Sequence, residues 1–187
     1  NSNPNDIEAK KYLAKLYQFT GDIAQSEKLL YEAFKQAPET AESNNELSVF
    51  YTYSRRYDIA IKYLRRAVEL KKHHILYLSL ANNLTKLGRT NEAIEAYQKA
   101  LEIKPGSQYV LKFYAEALRD TGKKRDAIGI YKQLLEVEPN NTAAMFNLSL
   151  LYLYLLDKPT AQVYYERLLK LDKNLARNLS WIFRIKK

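Results

Sequence analysis

Large apolar residues recur along this chain three and four positions apart, in runs of about fourteen residues separated by short polar turns, which is the spacing of amphipathic helices. Leu13 and Tyr17, Leu47 and Tyr51, Leu80 and Leu84, Tyr114 and Leu118, and Leu148 and Tyr152 head five such runs. Each is followed by a second run carrying Leu30, Leu64, Tyr97, Tyr131 or Tyr165. Between the large positions stand small ones. Ala14, Ser48, Ala81, Ala115 and Ser149 follow directly on the first large residue of each pair. Alternation of large with small is how two helices interdigitate at close range. The pattern therefore predicts pairs of packed helices, repeated along the chain.

The punctuation has the same period. Pro4, Pro38, Pro105 and Pro139 stand 34, 67 and 34 residues apart, and Gly21, Gly88 and Gly122 each fall seventeen residues before one of them. A repeat of this length marks stacked helix-turn-helix units, none of which buries its apolar face alone. Alignment on the prolines gives repeats 7–40, 41–73, 74–107, 108–141 and 142–174, with a capping helix over 175–187. The glycine suits the end of the first helix, where a left-handed backbone is cheap only for Gly, and the proline closes the second helix. Arg55 and Leu156 take the glycine position in two repeats, while Lys72 and Lys173 take the proline position. The expected fold is all-α, a right-handed α-solenoid of five helix-turn-helix repeats plus the cap, read as a single domain over 1–187.

In one phase the third repeat carries Tyr77, Leu80, Ala81, Leu84, Gly88, Ala93, Tyr97, Ala100 and Pro105. That set resembles the tetratricopeptide repeat family, and the resemblance runs from residue 7 to 174. It implies a non-catalytic protein-interaction scaffold that presents a concave groove, lined by the first helix of each repeat, to a peptide or partner domain. Carried onto this sequence, the groove positions are Lys11, Tyr12, Lys15 and Phe19, then Asn45 and Tyr53, then Asn82 and Lys86, and in the fourth repeat Tyr109, Lys112, Glu116 and Arg119. Some members of the family hold acidic chaperone C termini through a carboxylate clamp. Lys112, Asn147 and Arg177 match part of it, but Glu116 would repel the ligand's carboxylate.

The fifth repeat departs from the pattern. Its groove positions are Phe146, Leu150, Leu153 and Tyr154, while Met145, Leu148, Leu151 and Tyr152 fill the other side, so this helix is apolar all round. Such a helix needs burial on both faces. The sequence predicts that the terminal segment, with Trp181 and Ile185, folds against it, and otherwise that it contacts a partner or a second copy of the chain. Leu179, Ile182 and Phe183 fall at core positions of a sixth first helix that would close the stack. At the other end, Asn3, Pro4 and Asn5 read as the closing turn of an earlier repeat, and the initial Asn1 reads as the start of an excised piece.

Composition narrows the chemistry. The net charge of +9 is uneven: residues 51–90 hold nine Lys or Arg against two acids, and residues 1–50 hold five against eight. Arg55, Arg56, Lys62, Arg65 and Arg66 form a basic zone outside the groove that offers a docking surface for an anionic polysaccharide, nucleic acid or acidic membrane surface. Interrupting acids and the absence of a nucleic-acid fold motif make nucleic acid the weaker partner. With no cysteine, neither disulfide nor thiolate metal site can form, and the compartment stays open between cytoplasm and periplasm. His73 and His74 are adjacent rather than a helical turn apart, which does not suit a two-histidine metal site. No phosphate loop, nucleophile motif or membrane-length apolar run is present. The expectation is no catalysis, no metal and no cofactor.

Overall fold

The computed structural model describes residues 4–36 and 39–183. Ten of the twelve described helices form five antiparallel pairs: α1 (Pro4–Thr20) with α2 (Ile23–Gln36), α3 (Ala41–Tyr53) with α4 (Tyr57–Leu70), and α5 (His74–Lys86) with α6 (Thr90–Ile103). The same arrangement joins α7 (Gln108–Asp120) to α8 (Lys124–Val137) and α9 (Thr142–Tyr154) to α10 (Lys158–Leu171). Two short helices follow, α11 (Lys173–Arg177) and α12 (Ser180–Phe183). The chain packs as two compact units, one ending at Ile103 and the other beginning at Lys104. The all-α, helix-turn-helix repeat architecture is the one the periodicity predicts, and α3, α5, α7 and α9 each begin on the first residue of a repeat.

The pairs are held by the small positions. Ala14, Ser48, Ala81, Ala115 and Ser149 on the first helices are all at most 2% exposed. So are Ser26, Ala60, Ala93, Ala127 and Ala161, and Ala33, Ala67, Ala100, Leu134 and Leu168, on the second. Where a hydroxyl sits at the crossing it can be used: Ser26 Oγ donates to the Ala14 carbonyl at 2.7 Å, satisfying a group that is costly to bury unpaired. Around these contacts the first unit packs Leu30, Leu47, Phe50 and Tyr51 with Leu29, Phe34, Ile59 and Tyr63. Tyr51 stacks on Tyr63, with ring centroids 5.6 Å apart.

Every described turn within a pair uses a left-handed residue. Gly21, Gly88 and Gly122 have φ of +88°, +72° and +81°, and Arg55 and Leu156 take φ of +57° and +60° at the equivalent place. After α3 the Arg55 N–H donates to the Thr52 carbonyl and the Arg56 N–H to the Tyr51 carbonyl; the turns after α5, α7 and α9 repeat this pair of bonds. These bonds satisfy carbonyls that a helix end leaves unpaired, and they hold the two non-glycine residues in a conformation they would otherwise avoid.

The ends differ from the sequence expectation. Pro4 and Asn5 do not close an earlier turn: they open α1, whose start lies ahead of Ile7. Proline at the first helical position lacks only an N–H that a helix start leaves unbonded. Asn3 and Pro38 lie outside the described residues, as do residues 184–187, which include Arg184, Ile185, Lys186 and Lys187. At the C-terminal end the single capping helix is divided into α11 and α12. Asp172 caps α11 by accepting from the Leu175 N–H at 2.9 Å, so helix resumes at Lys173, the position where other repeats carry proline. The Leu179 N–H then donates to the Ala176 carbonyl and the Ile182 N–H to the Leu179 carbonyl, tight bonds that break the helical run at Asn178.

Two stability measurements follow from this packing. Leu156 is 90% exposed, so Leu156→Gly loses almost no contact and relieves the left-handed strain. It should raise unfolding free energy by about 1 kcal/mol in a denaturant titration. Ala81 is fully buried, and Ala81→Leu should cost about 1–3 kcal/mol by overpacking. An unchanged midpoint for either variant would contradict the corresponding account.

Candidate functional site

Because the first helix of each pair turns its small and large positions toward its partner, its remaining face is left for other contacts. In the first unit, α1 presents Lys11, Tyr12, Lys15, Gln18 and Phe19 on that face. Phe19 is 89% exposed, Tyr53 at the end of α3 is 76% exposed, and Tyr12 is 70% exposed. Large aromatics this open are rare enough on a folded surface to call for a partner when they cluster.

Two adjoining clefts lie on this side of the first unit. The first, of about 200 Å³, is lined by Ala14, Ser26, Leu30, Val49 and Phe50, with Lys11, Lys15, Gln18, Asn45 and Glu46 around it. The second is wider, about 510 Å³, and is lined by Lys15, Gln18, Phe19, Ile23, Tyr53 and Ser54. Lys15 and Gln18 belong to both clefts, so the two adjoin. Sequence reasoning named Lys11, Lys15, Phe19, Asn45 and Tyr53 here but missed Glu46, Ile23 and Ser54. Ile23 opens α2 and Ser54 caps α3, both outside the helix positions from which a groove is read. Their one sequence signal is that they flank the turns.

The charges around the first cleft are unequal. Lys11 lies 3.0 Å from Glu46 and 3.3 Å from Glu8. Burial works against its charge, but the hydrogen bonds and fields of Glu46 and Glu8 outweigh that, and its pKa stands above the ordinary lysine value. Lys15 makes no ion pair among the described residues; its ammonium sits 5.8 Å from the centre of the Tyr12 ring. Farther along the unit, Asn82 is occupied, since its Oδ1 accepts from the Tyr97 hydroxyl at 2.6 Å. Lys86 is exposed.

In the second unit the same face of α7 carries exposed Tyr109 and Lys112 and half-buried Glu116 and Arg119. Arg119 is committed: its Nε donates to Asp120 at 2.8 Å and another nitrogen to Asn147 Oδ1. Asn147 is buried and also donates to the Ala143 carbonyl, so this member of the partial clamp is engaged inside the fold. On α9, Phe146 and Leu153 are half-buried, while Leu150 and Tyr154 stay exposed. Lys124 Nζ covers the Tyr154 ring at 3.5 Å from its centre. The terminal segment closes this end without its tryptophan: α11 packs on α9, Leu179 is buried, and Phe183 stacks on Tyr165 at 4.4 Å, but Trp181 is 73% exposed.

Three of the five residues of the basic zone are matched by acids from other parts of the chain. Arg56 bonds Glu27 at 2.7 Å, Arg65 bonds Glu92 at 2.6 Å, and Arg66 reaches both Glu39 oxygens. Lys71 pairs with Glu42 at 2.9 Å. Arg55 and Lys62 have no acidic partner among the described residues. Hydrogen bonds from Arg66, Lys71 and Arg89 hold the carboxyls of Glu39, Glu42 and Glu92, respectively, below the usual carboxylate range, so all three are ionised at neutral pH. The local field is correspondingly reduced. Among the described residues no group of His, Cys, Asp and Glu could hold a metal ion, and no helix is long and apolar enough to cross a membrane. A triple change of Glu39, Glu42 and Glu92 to Gln should move elution from immobilised heparin to distinctly higher salt than wild type. Equal elution would mean that these carboxylates do not mask the zone.

Comparison with known proteins places this geometry in context. Models of the tetratricopeptide repeat match residues 39–106, 84–150 and 143–174. The BBSome complex member BBS4 of Mus musculus is 28% identical over 109 residues, 58% of this chain and 21% of that protein, and its Bos taurus counterpart matches to the same extent. The chain thus spans about a fifth of the length of these curated relatives. Among solved structures, MamA superposes with a TM-score of 0.77 at 19% identity, covering 88% of this chain and 96% of that one. YrrB, described as a TPR protein with an unusual peptide-binding site, superposes with a TM-score of 0.73 at 16% identity, covering 92% of this chain and 90% of that one. At these identities the structural likeness is one of fold.

Proposed function

As the chain belongs to the tetratricopeptide repeat family, whose repeats mediate protein–protein interactions, we propose that it is a non-catalytic scaffold. It holds a peptide or an extended segment of a partner protein against the open helix face of its first unit. The observation that carries this reading is that exposed Phe19 and Tyr53 line the wider of two adjoining clefts, the narrower of which is lined by Ala14, Leu30, Val49 and Phe50. Aromatic side chains beside such clefts are the usual anchors of protein interfaces. They have no structural task where they stand, since the helix pairs are already closed by the small positions. The peptide-binding site ascribed to YrrB and the membership of BBS4 in a complex agree with a scaffold role, although neither identifies a partner for this chain.

The pairing of Arg56, Arg65, Arg66 and Lys71 with carboxylates argues against polyanion docking as the main role. Exposed surface ion pairs add little to stability, but they do remove the excess charge on which counterion release depends.

A displayed random-peptide library panned on the immobilised protein provides the test. Enriched peptides should lose about tenfold or more in affinity when Phe19 and Tyr53 are both changed to Ala, the order expected for two anchors. The melting temperature should stay where it was, because both side chains are exposed. Undiminished affinity in the double variant would overturn the assignment.

A further inference from the structure

Lys15 is the point at which the two clefts meet, and its charge is unmet. Lys11, the other cation at the first cleft, is neutralised there by Glu46, the acid on the same rim. Lys15 is the one charged side chain lining the second cleft, and no carboxylate pairs with it among the described residues. On either side of it the surface is apolar. The first cleft, with Ala14, Leu30, Val49 and Phe50 at its floor and wall, encloses about 200 Å³. A cavity of roughly 150 Å³ already takes up benzene, so this cleft has room for one aromatic ring or a branched aliphatic side chain. The second, between Phe19, Ile23 and Tyr53, is an open shelf on which a larger group can lie flat. Ser54 also lines it.

Resting on the scaffold reading above, we propose that the first unit recognises an extended peptide in which an acidic residue is flanked by two large apolar side chains. One of these, aromatic or branched, enters the first cleft, and the other lies on the Phe19 and Tyr53 shelf. The acidic side chain meets the Lys15 ammonium between them. Selectivity arises from charge complementarity at one position. A basic residue there would face Lys15 with no nearby acid free to accept it, since Glu46 is held by Lys11. A neutral residue would leave Lys15 unpaired but still solvated, and would be disfavoured less.

The same displayed random-peptide library, panned in parallel on the wild-type chain and on Lys15→Glu, tests this reading. Lys15 is exposed, so the substitution leaves the core intact, and the helical circular-dichroism signal and melting temperature of the variant check that. Wild type should enrich peptides with an acidic residue between two apolar ones, and Lys15→Glu should enrich the same apolar frame with Lys or Arg in the middle. Synthetic peptides of each kind should then show reciprocal preference, each binding its own protein about tenfold or more tightly than the other. If both proteins enrich the same peptides, or enrich peptides without a charged centre that still depend on Phe19 and Tyr53, the charge-reading proposal falls while the scaffold reading stands. If neither protein enriches any peptide sensitive to Phe19 and Tyr53, both fall.

Discussion

Close approach of two helices through residues too small to hold them apart is the contact on which the rest of this molecule depends. At fifteen positions, three per repeat, the interhelical seam is almost free of solvent. Thirteen of these residues are Ala or Ser, and the other two are the buried Leu134 and Leu168 at the third position of the last two repeats. Once the seam is closed, much of the outer face of α1 carries no packing duty, and Tyr12 and Phe19 stand exposed on it.

The same contact imposes the turns. Two helices meeting at a fixed distance allow the connecting segment only a short path, and that path requires a left-handed residue at one position. Glycine meets the demand in three repeats. Arg55 and Leu156 meet it against their own preference, and the hydrogen bonds at their turns are the same as those at Gly88 and Gly122. Tertiary geometry has overridden local propensity at these two sites. The local cost is small beside the surface that each helix pair buries.

Charge is handled differently on the two sides of the first unit. On and beside α4, Arg56, Arg65, Arg66 and Lys71 are paired one by one with Glu27, Glu92, Glu39 and Glu42. On the first helices, Lys11 is paired but Lys15, among exposed aromatics, is not. A basic zone that looks continuous in the sequence is therefore partly neutralised in space, with Arg55 and Lys62 left without an acidic partner among the described residues, and Lys15 is the unpaired charge where the two clefts meet. Linear counting could not show this, because the partners lie about one repeat away in sequence: Glu39 from Arg66, Glu92 from Arg65, Glu27 from Arg56.

By itself the sequence determined the helix pairs, their period and the identity of the seam, since a period near 34 residues with small residues in phase has one economical packing. Its resemblance to the tetratricopeptide repeat family also implied that Lys11, Lys15, Phe19, Asn45 and Tyr53 share a groove face. Only the tertiary structure decided that Ile23 and Ser54 complete the clefts, that Asn82, Arg119 and Asn147 are engaged with neighbours, and that the terminal segment breaks at Asn178 and leaves Trp181 outside. Each of those outcomes turns on which side chain from a distant part of the chain arrives at a given place. Periodicity carries the direction in which a residue points, and the neighbours that it meets there are set by the packing of the helices.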